Sequence, residues 1–206
     1  MLIDLGMNDT IKRGISEFNL ISKERKIELE VLSKFISSRS GKADLIFICT
    51  HNSRRSHLSQ IWAQIAANNY GFSNVFCYSG GTEATAFFPA GIEAIRSAGI
   101  EVLKLSEGKN PVYAVNYNEK SHPVICFSKK YSDSFNPQKD YAAIMNCDHA
   151  DQNCPFIPNA GARIPIRYED PKIADGTPQQ LAKYIERSQQ ICREMLYVFS
   201  VSTTEL

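Results

Sequence analysis

The chain has 206 residues, with 23 Lys and Arg against 22 Asp and Glu, so it is long enough for one well-buried domain and nearly neutral. Without a polybasic block there is no electrostatic footprint for nucleic acid or an anionic membrane, and any anion selectivity has to be local. No apolar run is long enough to span a bilayer, and the opening "MLIDLGMNDT" lacks the basic start and apolar core of a secretion signal, so a cytoplasmic location is expected.

The first 43 residues read as helical. "NDTIKRGISEF" is short, whereas "SKERKIELEVLSKFISS" sets Ile27, Val31 and Phe35 beside Leu29, Leu32 and Ile36 on adjoining stripes. This is an N-terminal helical extension, residues 1–43, docked on a main domain, residues 44–206. "DLIFI" (44–48) is a continuous apolar run of the kind a parallel strand covered on both faces requires. A helix follows, with Leu58, Ile61, Trp62, Ile65 and Ala66 at helical spacing. "NVFCYS" (74–79) is a second strand, and "PAGIEAIRSAG" (89–99) a helix opened by proline and closed by glycine.

The alternation then breaks. "PVYAVNYNEKSHPVICFS" (111–128) looks like two strands joined by a polar turn, a hairpin within an insertion at about 106–136. "YAAIMN" (141–146) resumes as a buried strand. After it comes a long polar stretch with four prolines, a kind of segment that usually carries function, containing one more candidate strand at 163–167. The last helix, in "TPQQLAKYIERSQQICREMLYVF", is capped by Thr177 and opened by Pro178. Its buried face is Leu181, Tyr184, Ile185, Cys192, Met195, Leu196 and Phe199. The fold class is α/β: a doubly wound open sheet of about four parallel strands with helices on both faces, plus the inserted hairpin. In such sheets ligands bind beyond the carboxyl ends of the strands, where Cys49 and Cys147 fall.

Residues 49–56 spell Cys-Thr-His-Asn-Ser-Arg-Arg-Ser, between a strand and a helix. Five residues let the backbone curl round a tetrahedral oxyanion, so that Thr50, His51, Asn52, Ser53, Arg54, Arg55 and Ser56 all border it. Arg55 returns a planar guanidinium to chelate two oxygens. Amide dipoles, the helix terminus and the arginines favour a thiolate at Cys49, and Ser56 can bond the sulfur.

This loop resembles the Cys-x-Gly-Asn-x-Cys-Arg-Ser of the low-molecular-weight protein tyrosine phosphatase fold family, matching at Cys49, Asn52, Arg55 and Ser56. His51 stands where that family has glycine, and Arg54 where it often has cysteine. Asp170, before Pro171, resembles the family's general acid, with Glu169 and Asp175 as substitutes. Cys147 and Cys154, the second followed by proline, resemble the redox segment of the thioredoxin-coupled arsenate reductases. Tyrosine phosphatases of the fold have no reason to carry that segment, and Lys172 does not supply the aromatic residue that usually follows their Asp-Pro.

The resemblance implies that Cys49 attacks arsenate, that Cys147 takes over the bond as a disulfide, and that Cys154 moves it outward across the polar segment "DHADQN". Thioredoxin or a similar dithiol would be the external reductant, with no tightly bound cofactor. The alternative is a phosphatase hydrolysing phosphomonoesters through a Cys49 phosphoenzyme; a non-enzymatic arsenical sensor is a third class. Cys147, His149 and Cys154 supply three zinc-type donors without an evident fourth, so no metal is expected. Cys77 and Cys192 read as core residues, and Cys126 is ambiguous within the insertion. His57, His122 and His149 read as surface residues. Ser79 in "YSGGTEA" resembles the family's bracing turn, acting with Asn52 through hydrogen bonds or a monovalent cation, or is simply a strand-end turn.

Overall fold

The computed structural model describes residues 3–153 and 156–204, without the side chains of 3–5, 153 and 204. Four parallel strands form the central sheet: β1 (Lys42–Cys49), β2 (Asn74–Gly81), β6 (Tyr141–Met145) and β7 (Ala160–Pro165), in the spatial order β2-β1-β6-β7. The chain runs outward from β1 to β2 and then crosses back to β6. The carboxyl ends of β1 and β6 therefore flank the point where the winding reverses, which is where an open α/β sheet offers a crevice.

Each strand of this sheet is apolar because it is covered on both sides. From Leu45 to Ile48 β1 is fully buried, and its alternate residues belong to two cores. Leu45 and Phe47 face the larger core, with Leu58, Ile61, Trp62 and Ile65 of α3 (Arg55–Asn69) and Ile191, Met195 and Phe199 of α6 (Gln180–Thr204). Ile46, Ile48 and Cys49 face the smaller one, with Tyr141, Met145 and Cys147, Ala150 of α5 (Asp148–Asn153), and Ile157. The helices are thus unevenly shared between the faces.

α1 (Ile3–Ser16) and α2 (Lys23–Ser38) pack on α6. Ser22 caps α2 by accepting from Arg25 N–H, and the buried Ser33 hydroxyl donates to the Val198 carbonyl 2.9 Å away. The Arg25 guanidinium pairs with Glu194 at 2.8 Å and lies over the Tyr168 ring, joining α2 to α6 and to the chain entering the site. Of the two stripes expected on α2, Leu29, Leu32 and Ile36 are buried, whereas Ile27 and Val31 are exposed. α2 is covered by α6 and, to a lesser extent, by β7, and neither reaches Ile27 or Val31. β1 begins two residues before Asp44, so its first turn of pairing lies in the expected extension.

The inserted hairpin gains a strand. β3 (Glu101–Lys104), which follows α4 (Pro89–Ser97), pairs antiparallel with β4 (Tyr113–Asn116), and β4 with β5 (Val124–Cys126). Beyond β5 the chain returns along the end of β2. Gly81 N–H donates to Lys129 O, and Tyr131 N–H to Gly81 O, each at 2.9 Å. A side chain at Gly80 would lie 2.4 Å from the Tyr131 Cα, so this approach needs glycine.

Three further expectations are corrected. "DHADQN" is the short helix α5, not an irregular polar segment: Asp151 pairs with Arg163 and with Arg167 (2.6 Å), and Asp148 with Arg167. Thr177 does accept from Gln179 N–H, but regular α6 starts only at Gln180, and Leu181 is exposed. His57 is buried, not a surface residue. It stacks on Phe87 at 4.3 Å and meets the Ser79 hydroxyl at 3.2 Å, because α3 is enclosed on nearly every side.

Candidate active site

The loop of residues 50–54 leaves β1 and enters α3 with its carbonyls turned outward. The Cys49 carbonyl accepts from Thr82 N–H, Thr50 from Glu83 N–H, Ser53 from Phe88 N–H and Arg54 from Leu58 N–H, while His51 accepts from the hydroxyls of Thr85 and Ser128. In a planar trans peptide the N–H points opposite to the carbonyl. The amides of Thr50, His51, Asn52, Arg54 and Arg55 accordingly turn to the inner side of the loop, as an anion cradle requires. Gly81 closes against this loop so tightly that a Cβ there would fall 2.7 Å from Asn52 N.

A directed chain of hydrogen bonds runs to the nucleophile. Lys129 N–H donates to Asn52 Oδ1 (2.9 Å), Asn52 Nδ2 donates to Ser56 Oγ (2.8 Å), and Ser56 Oγ lies 3.1 Å from Cys49 Sγ. Because the serine oxygen already accepts from Asn52, its own proton is available to the sulfur. Asn52 is fully buried with φ +44, a left-handed conformation that asparagine tolerates better than most residues. His51 beside it is half-exposed, 3.6 Å from Glu83.

The two arginines divide. Arg55 Nη2 bonds Asp170 Oδ2 at 2.6 Å and its Nη1 bonds the Tyr168 carbonyl at 3.1 Å, so the residue expected to chelate an anion and the one expected to supply a proton are brought together. Asp170 in turn caps the 3-10 turn Pro171–Ala174 by accepting from Lys172 N–H. Arg54 points elsewhere: its guanidinium pairs with Asp175 (2.7 Å), donates to Tyr184 OH (2.5 Å) and covers the Phe88 ring at 4.4 Å. Asp175 is thereby engaged with Arg54, and Glu169 with Arg187.

Cys147 is buried one residue beyond Asn146, whose N–H donates to the Ile48 carbonyl at 2.7 Å, so Cys49 and Cys147 sit at the ends of adjacent strands. The Cys147 sulfur accepts from Ala150 N–H (3.4 Å) and lies 3.5 Å from Thr50 Oγ1. Cys154 lies outside the described residues. Cys77, Cys126 and Cys192 are buried; burial pushes the Cys77 and Cys192 thiols far up and Cys126 up to about 12, which suits packing rather than nucleophilic chemistry. Among the described residues no group of three or more His, Cys, Asp or Glu is placed to hold a metal ion.

Ser79 bonds His57 and, through its carbonyl, Asn136, rather than the loop itself. The bracing expected of it comes instead from Ser128 and Lys129, which sequence reasoning missed. Ser128 ties His51 O to Thr85 N–H. The Lys129 ammonium is buried over the Phe127 and Phe135 rings, and burial lowers it to about 8. Burial, with the nearby Lys129 charge second, holds the His57 imidazole well below its usual range. No local signal marks these residues, since their role depends on where the insertion returns.

No family model matches the chain. Over 131 residues it is 30% identical to an arsenate reductase of Staphylococcus aureus strain Newman, an overlap covering 63% of this chain and 79% of that relative. Over 150 residues it is 27% identical to an arsenate reductase of Bacillus licheniformis, covering 71% and 87%. Among solved structures, YwlE of Bacillus subtilis in a mutant form aligns with TM-score 0.49 at 15% identity, covering 77% of this chain and 97% of that one. The low-molecular-weight protein tyrosine phosphatase of T. tengcongensis aligns with TM-score 0.48 at 14% identity, covering 77% and 99%. An open parallel sheet with a Cys-x5-Arg-Ser loop at its switch point defines the phosphatase-like class. Within that class the chain belongs to the family of the arsenate reductases.

Proposed function

We propose that the protein reduces arsenate to arsenite. Arsenate sits in the loop amides and on Arg55, the Cys49 sulfur attacks arsenic, and Asp170 gives a proton to the departing hydroxide, which leaves as water. Cys147 then attacks the Cys49 sulfur. The S–S bond forms as the S–As bond breaks, its electron pair stays on arsenic, As(V) becomes As(III), and two thiols become one disulfide. Cys154 transfers that disulfide outward by attacking Cys147, and thioredoxin or a similar dithiol carrier reduces the Cys147–Cys154 bond.

The observation that carries this reading is the position of Cys147: a buried thiol at the end of β6, beside the strand that ends in Cys49 and in contact with Thr50 of the loop. Hydrolysis of a phosphomonoester through Cys49 uses the same Cys49, Arg55 and Asp170 but gives Cys147 nothing to do. Cys147→Ser separates the two. Multiple-turnover arsenate reduction should disappear while hydrolysis of para-nitrophenyl phosphate persists; arsenate turnover equal to that of the parent would refute the relay.

A further inference from the structure

Cys147 can attack Cys49 only after losing its proton, yet its thiol is buried, 2% exposed. Its sulfur touches the Thr50 hydroxyl at 3.5 Å, and the same hydroxyl lies 3.3 Å from His149 Nδ1. A hydroxyl carries one donor and two acceptor sites, so it can take a proton on one side while giving its own on the other. His149 is on α5, two residues past Cys147, with its ring exposed at the surface.

We infer that His149 is the proton acceptor for Cys147, acting through the Thr50 hydroxyl. The Cys147 proton passes to Thr50 Oγ1 as the Thr50 proton passes to His149 Nδ1, leaving a thiolate and an imidazolium. The thiolate supplies the electron pair of the Cys49–Cys147 bond, and arsenite departs with the pair of the S–As bond. His149 is thus a positioning residue for the second chemical step, and its place in turnover rests on the arsenate reductase reading. The charged groups around it are Asp148 and Asp151 on α5, which are paired with Arg163 of β7 and with Arg167, and, in the loop, His51 beside Glu83. Asp148 and Asp151 are ion-paired with those arginines, and the Thr50 hydroxyl is the group in contact with both the Cys147 sulfur and His149 Nδ1.

The test follows alkylation of Cys147 by iodoacetamide against pH, located by peptide mass, in the intact protein without arsenate. The parent should show an ionisation step additional to that of the thiol; His149→Gln should remove that step and slow alkylation near neutral pH by roughly tenfold or more. Added imidazole should restore the rate in His149→Ala and fail to do so in His149→Ala/Thr50→Val, where the hydroxyl is missing. Profiles of His149→Gln and His149→Ala that superimpose on the parent's, with Cys49 alkylation as internal reference, would overturn the assignment. Should the parent fail to reduce arsenate while the profile behaves as expected, the functional reading falls and the proton route stands.

Discussion

Replacing Asn52 by alanine breaks the hydrogen-bond chain that runs from the insertion to the nucleophile, and its cost can be worked from the contacts. Lys129 N–H, buried, loses its acceptor, and Ser56 Oγ loses the donor that orients it. One stranded buried donor and one lost bond together cost about 2 kcal/mol. Holding alanine at the φ of +44 adds about 1 kcal/mol. The sum, about 3 kcal/mol, should lower the melting temperature by roughly 6–12 °C for a domain of this size. Asn52→Gly forfeits the same two bonds without the left-handed penalty and should fall about 1 kcal/mol short of the alanine variant. Urea unfolding of the three proteins measures both differences. Losing the Ser56 orientation should also slow the Cys49 step about fivefold, the value of one ordinary hydrogen bond. If both variants unfold within 0.5 kcal/mol of the parent, roughly the ordinary surface-substitution range, the bonding chain does not hold the loop and the reasoning fails.

Asp170→Asn keeps the shape of the acid but removes its proton and its charge on Arg55, so arsenate reduction and phosphoester hydrolysis should both drop by about 10²-fold; a phenyl ester with a good leaving group should lose less, and equal losses across leaving groups would contradict an acid role. Lys129 gives a pH-dependent prediction. Burial lowers its ammonium from 10.5 to about 8, so between those values the unfolded chain binds more protons and stability rises with pH; below about 8 the whole penalty, about 3 kcal/mol, is present. Lys129→Met should therefore be more stable than the parent at pH 7 by about 1–2 kcal/mol after loss of the aromatic contacts, with the gap closing toward pH 10. A gap independent of pH in urea melts would refute the buried ammonium.

What could be read from the chain was local. The unbroken apolar run 44–48, the helical spacing of Leu58, Ile61, Trp62 and Ile65, and the Cys-x5-Arg-Ser loop between them each carry their own pattern, and the structure keeps all three. What could not be read depends on contacts between distant segments. Nothing near Ser128 or Lys129 announces that the returning insertion will run beside Gly81 and bond the loop. His57 looks like a surface residue until Phe87 and the insertion close over it. "DHADQN" reads as an irregular connection, because the arginines that hold it as a helix come from β7 and from beyond it. Ile27 and Val31 pattern as a core face that no neighbouring element arrives to cover.

The relay itself is tested most directly by mapping disulfides after a single exposure to arsenate. The reduced protein is mixed with one equivalent of arsenate without any carrier, quenched in acid, digested and weighed. A Cys49–Cys147 or a Cys147–Cys154 crosslink, formed together with one arsenite per chain, is the expected result. A chain that releases arsenite while Cys147 remains a free thiol would contradict the account.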